Sequence, residues 1–125
     1  MIELDPFERK ILRELQRDEM LHALLSALKR HQSQLADQHQ RLVPLFLKIA
    51  PDLNDEQIRV IAAAVLDTQF DGVIATNTTL GRDAVADDPR SQESGGLSGA
   101  PLLQPSNRVI RLLRARLGPA VPIIG

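Results

Sequence analysis

The chain has 125 residues, of which 43% are hydrophobic, and a formal net charge of −1 at pH 7. This length fits one domain, and the hydrophobic fraction is enough for a core, which excludes a disordered chain. The near-neutral charge and the absence of Trp and Tyr argue against a nucleic-acid partner, because such partners need a basic surface or stacking side chains. The absence of cysteine excludes disulfides, thiolate metal sites and a cysteine nucleophile.

The sequence also carries no membrane or export signal. It has no run of about 18 apolar residues and no basic start followed by an apolar stretch, so we expect neither a transmembrane helix nor a signal peptide. Together with the lack of cysteine, this fits a reducing compartment and favours a cytoplasmic protein.

Residues 1–41 are predicted to form a helical lead-in to a single domain. Asp5 and Pro6 are typical of a helix start, because aspartate caps a helix and proline fits its first turn. The apolar residues of the first part lie at helical spacing: Phe7, Ile11, Leu12 and Leu15. The pattern pauses at residues 16–18, where Asp18 could cap a second helix, so one long helix and two shorter helices are both open. Beyond the pause, an apolar stripe runs to about residue 40 through Leu21, Leu24, Leu25, Leu28 and Leu35.

Residues 42–125 are predicted to form a parallel β-α-β-α-β core. Short apolar runs at 44–50, 73–76 and 122–124 are typical of strands buried on both faces of a parallel sheet. Between the first two runs, Asn54 and Gln57 resemble a capping box that opens an amphipathic helix. A further helix is predicted from Pro105 to a stop at Gly118. Right-handed crossovers would make the three strands parallel.

Polar residues follow the first two predicted strands. Lys48 lies near the end of the first strand, and the second runs directly into Thr76, Asn77, Thr78 and Thr79. Ligands of α/β sheets bind at the carboxyl ends of the strands, so these residues are expected to face one rim. The alternative is a lysine that extends to solvent beside ordinary turn-forming residues. Their coincidence on one rim favours a binding site.

A long polar loop at residues 81–100 contains a glycine-rich segment at 95–99. Loops of this length inside a compact domain are often functional, and glycine lets a backbone approach a flat or phosphorylated ligand. A merely flexible loop is the alternative.

Other polar residues are interpreted as structural or solvated. His22, His31 and His39 lie in the helical lead-in without carboxylates at metal-ligand spacing, so we predict no metal site there. A series of arginines is predicted to form the solvated face of the last helix: Arg108, Arg111, Arg114 and Arg116.

Four sequence blocks, in order, resemble the class 2, quinone-linked dihydroorotate dehydrogenases. They are LKIAPDL at 47–53, DGVIATNTT at 71–79, GGLSGAPL at 95–102 and PIIG at 122–125. The resemblance begins at about Leu12. That family is a TIM (β/α)8 barrel that holds FMN at its carboxyl rim. The resemblance therefore implies a partial TIM barrel comprising the fifth and sixth strands and the start of the seventh.

The resemblance also implies roles for particular residues. The FMN contacts would be Lys48, Thr76, Ser98 and Gly99, with Lys48 against the flavin ring. Asn77 and Thr78 would bind the pyrimidine ring of dihydroorotate or orotate. The implied reaction is the oxidation of dihydroorotate to orotate in pyrimidine biosynthesis, with quinone as electron acceptor. The family further implies peripheral association with the cytoplasmic face of the inner membrane.

The sequence departs from the family pattern in two places. The family's catalytic serine segment should lie just upstream of Leu12, where residues 4–11 instead look like a helix start, so no catalytic residue is identified. The strand and glycine pair that hold the FMN phosphate would follow residue 125. We therefore expect the chain by itself to bind FMN weakly, to lack turnover, and to self-associate or pair with a second chain. Two rival interpretations are a non-enzymatic half-barrel remnant that acts through assembly and a fragment of another phosphate-binding barrel.

Overall fold

The computed structural model describes residues 5–125 and, among these, the side chains of all but residues 7, 8 and 10–16. The helices are α1 (Pro6–His39), α2 (Asp55–Asp67) and α3 (Leu103–Leu117), and the strands are β1 (Phe46–Ile49), β2 (Gly72–Ala75) and β3 (Ile123–Ile124). Short 3₁₀ segments lie between β2 and α3 at Asp83–Val85, Pro89–Gln92 and Ala100–Leu102. The predicted β-α-β-α-β order is confirmed.

The strands form one parallel sheet in the order β1-β2-β3. Leu47 lies beside Val73, and Val73 lies beside Ile123. Consecutive parallel strands in this order are the product of two successive crossovers of one hand. Both β1 and β3 are shorter than predicted, and each begins after the proline that was expected to start it, since proline cannot donate to the ladder.

In the part of the chain that the structure describes, only one face of the sheet is covered. Val73 and Ala75 are fully buried against a core supplied by α2 and α3, whose buried residues are Ile58, Ala62, Ala64, Val65, Val109, Leu113 and Leu117. On the opposite face Lys48 is exposed, Ile74 is half-buried and Ile124 is 50% exposed. The prediction of strands buried on both faces is therefore wrong for the described residues. Both crossover helices pack on the same side, and nothing described covers the other.

Helix α1 is continuous through the predicted pause, so Asp18 does not cap a second helix. Residues 16–18 contain neither Gly nor Pro, and an established helix propagates through ordinary residues at little cost. The apolar pattern at Phe7, Ile11, Leu12 and Leu15 lies outside the described side chains.

The predicted apolar stripe of α1 is only partly buried. Leu25 is fully buried and Leu21 is half-buried, but the other three members are exposed: Leu24, Leu28 and Leu35. A helix turns by about 100° per residue, so Leu24, directly before Leu25, faces away from the buried row, whereas Leu28 lies near that row and is only 39% exposed. The buried row of α1 continues with a polar residue, Gln32, which is only 7% exposed.

Asp71 links α1 to the amino end of the sheet, a connection that the sequence patterns did not predict. Its carboxylate accepts hydrogen bonds from Leu45 N–H at 2.7 Å and Gln32 Nε2 at 2.8 Å, and it pairs with Lys29 at 3.5 Å. Gln32 Nε2 also donates to the carbonyl of Val43 at 2.7 Å. Burial by itself raises the pKa of Asp71, but the hydrogen bonds and the Lys29 charge outweigh it, so the pKa is lowered.

The starts of α2 and α3 are fixed by local sequence. The predicted capping box of α2 is confirmed, with Gln57 N–H donating to Asn54 Oδ1 at 2.8 Å and Asn54 N–H donating to Gln57 Oε1 at 2.9 Å. Helix α3 begins at Leu103, two residues before the predicted start, and Pro105 fits its first turn. Gly118 ends α3 as predicted.

The predicted solvated arginine face is wrong at Arg108. That guanidinium donates to the carbonyl of Leu53 at 2.9 Å and pairs with Asp55, so it fastens α3 to the start of α2. Arg114 is exposed, as predicted, but also donates to the carbonyls of Gly118 and Val121 at 2.5 and 3.0 Å. Arg111 and Arg116 are exposed.

Among the described helices, none is both long enough and apolar enough to cross a membrane.

Candidate functional site

The carboxyl ends of β1 and β2 lie side by side. The register pairs Lys48 with Ile74 and Ile49 with Ala75. Two residues beyond the last paired residue of β2, Asn77 N–H donates to the carbonyl of Ile49 at 2.7 Å. The backbone therefore holds Asn77 beside the end of the strand that carries Lys48.

Six predicted binding residues lie at this edge or on the loop that joins it, and we call them the candidate rim: Lys48, Thr76, Asn77, Thr78, Ser98 and Gly99. In the described part of the chain, the exposed side chains of Lys48, Asn77, Thr78 and Ser98 make no hydrogen bond or ion pair. Thr76 is half-buried and donates to the carbonyl of Asn77 at 2.9 Å. The peptide bond that precedes Thr76 is cis. The candidate rim thus offers an ammonium, an amide and hydroxyls that the fold itself does not use.

Thr79 differs from the three polar residues before it, because it is only 7% exposed. Its hydroxyl donates to the carboxylate of Asp52 and accepts from Gly81 N–H at 2.9 Å. The grouping of Thr79 with the ligand-facing residues is therefore wrong, since its side chain is already fully hydrogen-bonded within the chain.

The glycine-rich segment is tied to the end of β2 by backbone hydrogen bonds. Thr79 and Leu97 form an antiparallel bridge, with N–H···O distances of 3.0 and 2.8 Å. Arg82 adds a second connection, because its Nη2 donates to the carbonyls of Gly95 at 2.5 Å and Glu93 at 3.3 Å. Its Nη1 lies 3.2–3.4 Å from the carbonyls at residues 79–81. Hydrogen bonds therefore attach the loop at both ends. This differs from the alternative of a merely flexible loop.

Two glycines of this segment, Gly96 and Gly99, disfavour a side chain for different structural reasons. A Cβ at Gly96 would lie 1.9 Å from Thr78 Oγ1 and 2.6 Å from Thr78 Cβ, so Thr78 packs directly against the glycine backbone. Gly99 has φ +87, a conformation that favours glycine, and nothing lies within 4 Å of the position where a Cβ would project. The backbone at Gly99 is therefore open to an approaching ligand.

The candidate rim residues do not line the cavities described next, although the side chains of Lys48, Asn77, Thr78 and Ser98 are exposed. A cavity of about 280 Å³ lies between α1 and the start of α2, with Arg17, Leu21 and Asn54 in its wall. Another, of about 240 Å³, lies within the 81–100 loop beside Arg82 and Gly96. Neither contains a residue of the candidate rim, so further polypeptide or a ligand would be needed to enclose it.

The three histidines are exposed, in line with the structural or exposed role predicted for them. Among the side chains that the structure describes, no cluster of three or more His, Cys, Asp or Glu is arranged to hold a metal ion. The described residues thus supply no metal centre near the candidate rim.

A sequence model of the family "dihydroorotate dehydrogenase" matches residues 7–125. The chain belongs to the dihydroorotate dehydrogenase family. It is 61% identical over 114 residues to the dihydroorotate dehydrogenase (quinone) of Thiobacillus denitrificans, covering 91% of this chain and 34% of that protein. The enzyme of the same name from Burkholderia thailandensis is 61% identical over 116 residues, covering 93% and 34%. The resemblance noted in the sequence is confirmed.

Solved structures of this family support the same fold. The crystal structure of dihydroorotate dehydrogenase from Eimeria tenella in complex with ferulenol has a TM-score of 0.78 at 32% identity, covering 93% of this chain and 34% of that chain. The ligand-free enzyme has a TM-score of 0.60 at 44% identity, covering 64% and 22%. The chain adopts part of the α/β barrel of this family, and it spans about a third of the length of the curated relatives it matches.

Proposed function

We propose that this dihydroorotate dehydrogenase chain contributes the candidate rim of an FMN-dependent enzyme that oxidises dihydroorotate to orotate and uses quinone as electron acceptor. The observation that carries this proposal is the set of polar side chains at the carboxyl edge that have no partner among the described residues. Ligands of α/β barrels bind at the carboxyl ends of the strands, so a cluster of available polar groups at this edge of the sheet supports a ligand site.

The residues of the candidate rim suit FMN. Lys48 presents a cation next to Ile74, on the uncovered apolar face of the sheet, and a flavin has a flat apolar ring with polar edges. Gly99 leaves its backbone open, and hydroxyl groups are offered by Ser98, its neighbour in the chain, and by Thr76 at the end of β2. Bound FMN would supply the hydride acceptor of the reaction. We assign Lys48, Thr76, Ser98 and Gly99 to the cofactor, with Lys48 providing positive charge at the flavin ring.

Asn77 and Thr78 are assigned to the pyrimidine substrate. An amide both donates and accepts hydrogen bonds, which matches the alternating N–H and C=O groups on the edge of the dihydroorotate ring. The contact of Thr78 with Gly96 fixes its backbone position, and the hydrogen bond from Asn77 N–H to Ile49 does the same for Asn77. None of the described rim residues is assigned as the base that removes the substrate proton.

The experiment that tests this function uses a chimera. The matching 114 residues of the Thiobacillus denitrificans enzyme are replaced by those of this chain, and dihydroorotate oxidation is measured with quinone. Activity is expected, together with a flavin absorption spectrum. Lys48→Ala in the chimera should weaken FMN retention by about tenfold or more, whereas Arg111→Ala, on an exposed arginine of α3, should not. A folded chimera without flavin or turnover would contradict the proposal.

The non-enzymatic alternative, a half-barrel that acts through assembly, is favoured by a different observation. The uncovered sheet face includes Ile74 and Ile124, and an apolar face of this kind is normally covered by further polypeptide. Size-exclusion chromatography with light scattering on the 125-residue chain should detect association. A compact monomer that keeps its helical circular dichroism would count against assembly.

We further propose peripheral association with a membrane, since quinones reside there.

A further inference from the structure

We propose that Thr79 and Asp52 are positioning residues for the candidate rim. They fix three segments relative to one another: the end of β1 that carries Lys48, the turn that carries Asn77 and Thr78, and the loop that carries Ser98 and Gly99. This inference rests on the function proposed above and extends it to two residues that contact neither cofactor nor substrate in that assignment.

Thr79 is the point where the three segments meet. Its hydroxyl donates to Asp52, which lies in the connection that follows β1, and accepts from Gly81 N–H. Its N–H and C=O pair with Leu97, one residue before Ser98. Every polar atom of Thr79 is used: its hydroxyl bonds to Asp52 after β1 and to Gly81 in its own turn, and its backbone bonds to Leu97 in the loop.

Asp52 reinforces the same junction. Its second carboxylate oxygen accepts from Leu80 N–H at 3.0 Å, so one carboxylate holds both a side chain and a backbone group after β2. Hydrogen bonds to a charged acceptor are stronger than neutral ones. Thr79 is nearly buried, whereas Asp52 and Gly81 are exposed, so loss of the Thr79 hydroxyl would break the connection between the segments and leave Asp52 and Gly81 N–H to bond with water.

The contrast with Thr78 separates positioning from binding. Thr78 and Thr79 are adjacent, yet Thr78 is exposed with an unused hydroxyl and Thr79 is buried with a saturated one. A ligand can therefore reach Thr78 without disturbing the junction. Removing the Thr79 hydroxyl should alter ligand affinity only by letting the segments move.

The test compares Thr79→Val, which keeps the shape without the hydroxyl, with Thr79→Ser, which restores the hydroxyl. The matched control is Thr68→Val, which removes a hydroxyl bonded to the carbonyl of Ala64 at 2.7 Å, at the other end of the sheet. Amide hydrogen exchange is measured on the 125-residue chain, and FMN is titrated by flavin fluorescence into the chimera that carries the same change.

Thr79→Val should speed exchange about tenfold at both 78–81 and 95–99 and raise the FMN dissociation constant by a similar factor. Thr79→Ser should return both quantities toward wild type, and Thr68→Val should change neither. Unchanged exchange at 95–99, or faster exchange with unchanged FMN affinity, would overturn the positioning role.

If Thr79→Val does not fold, Asp52→Asn replaces it, because this change keeps the shape and removes the charge. It should speed exchange at the same two segments by a smaller factor, and wild-type rates would overturn the proposal. A chimera that does not bind FMN without the Thr79 change would count against the proposed cofactor site, while the exchange comparison would still decide whether Thr79 joins the segments.

Discussion

Polar side chains at the two ends of the sheet differ in their hydrogen bonding within the chain. At the amino end, Asp71 accepts from α1 and from the start of β1, and Gln32 is buried with both of its hydrogen bonds inside the chain. At the carboxyl end, Lys48, Asn77 and Thr78 have no side-chain partner among the described residues. The Asp71 cluster is therefore hydrogen-bonded within the chain, whereas these three rim side chains remain available beside the bonded pair Thr79 and Asp52. α/β barrels divide stability and ligand binding between their two ends in the same way.

The largest effect expected from this comparison is at Asp71. Asp71→Ala removes the acceptor shared by Leu45 N–H, Gln32 and Lys29, and Gln32 has little access to water as a substitute. The free energy of unfolding should fall by about 2–4 kcal/mol, measured from urea unfolding curves. A domain of this size is stabilised by about 5–15 kcal/mol, so the loss should be readily detected.

The control for that prediction is Asp67→Ala. Asp67 is exposed at the end of α2, where a negative charge gains nothing from the helix dipole. Its replacement should change the free energy of unfolding by less than about 0.5 kcal/mol. Equal losses at Asp67 and Asp71 would mean that the amino-end cluster contributes no special stability.

A somewhat smaller effect is expected at Gly96, on the carboxyl side. In Gly96→Ala the new Cβ would meet Thr78 Cβ at 2.6 Å, an atom that a change of rotamer does not move. We expect a loss of about 1–3 kcal/mol in unfolding free energy, as for other overpacked contacts. Thr78→Gly removes the clash, so a double-mutant cycle should show favourable coupling between the two changes. Additive effects would show that Thr78 and Gly96 do not touch.

A third prediction concerns acid. The pKa of Asp71 lies below its ordinary value of 3.8 in the folded chain, so folding favours the ionised carboxylate. This contribution is present above the ordinary pKa and is lost as the pH falls through the lowered one. Comparing urea midpoints at about pH 6 and about pH 3, Asp71→Asn should lose less stability on acidification than wild type does. Equal losses would indicate that the lowered pKa of Asp71 does not contribute to the pH dependence of stability.

Much of this architecture could be predicted from local sequence. Short apolar runs and the Asn54–Gln57 capping box gave the element order, because period and capping depend on neighbouring residues. The burial of Gln32 could not be predicted in this way. Its partners Val43 and Asp71 lie 11 and 39 residues away, and a glutamine on a helix ordinarily faces water.

The candidate site shows the same limit. Thr76 to Thr79 form one uniform polar run in the sequence, yet Thr79 is separated from the others by its bond to Asp52, 27 residues away. Arg82 likewise gave no pattern, because its partners are backbone carbonyls that any residue supplies. Asp52, two residues after the LKIA run, was the only local sign of its junction with Thr79. It belongs to no periodic pattern or motif that would distinguish it from other aspartates.

The smallest effect on stability is expected at the candidate rim itself, where a change should affect ligand binding instead. Lys48→Met removes a cation that has no partner in the described part of the chain and keeps an unbranched side chain on the exposed face of β1. Asn77→Ala removes an unpaired amide while the backbone bond to Ile49 remains. Each should alter the free energy of unfolding by less than about 0.5 kcal/mol, because exposed groups without partners contribute little. In the chimera with the Thiobacillus denitrificans enzyme, Lys48→Met should weaken FMN binding, and Asn77→Ala should raise the KM for dihydroorotate with little change in FMN content. A loss of more than about 1 kcal/mol from either change would make the carboxyl end structural like the amino end, and the contrast between the two ends would then fail.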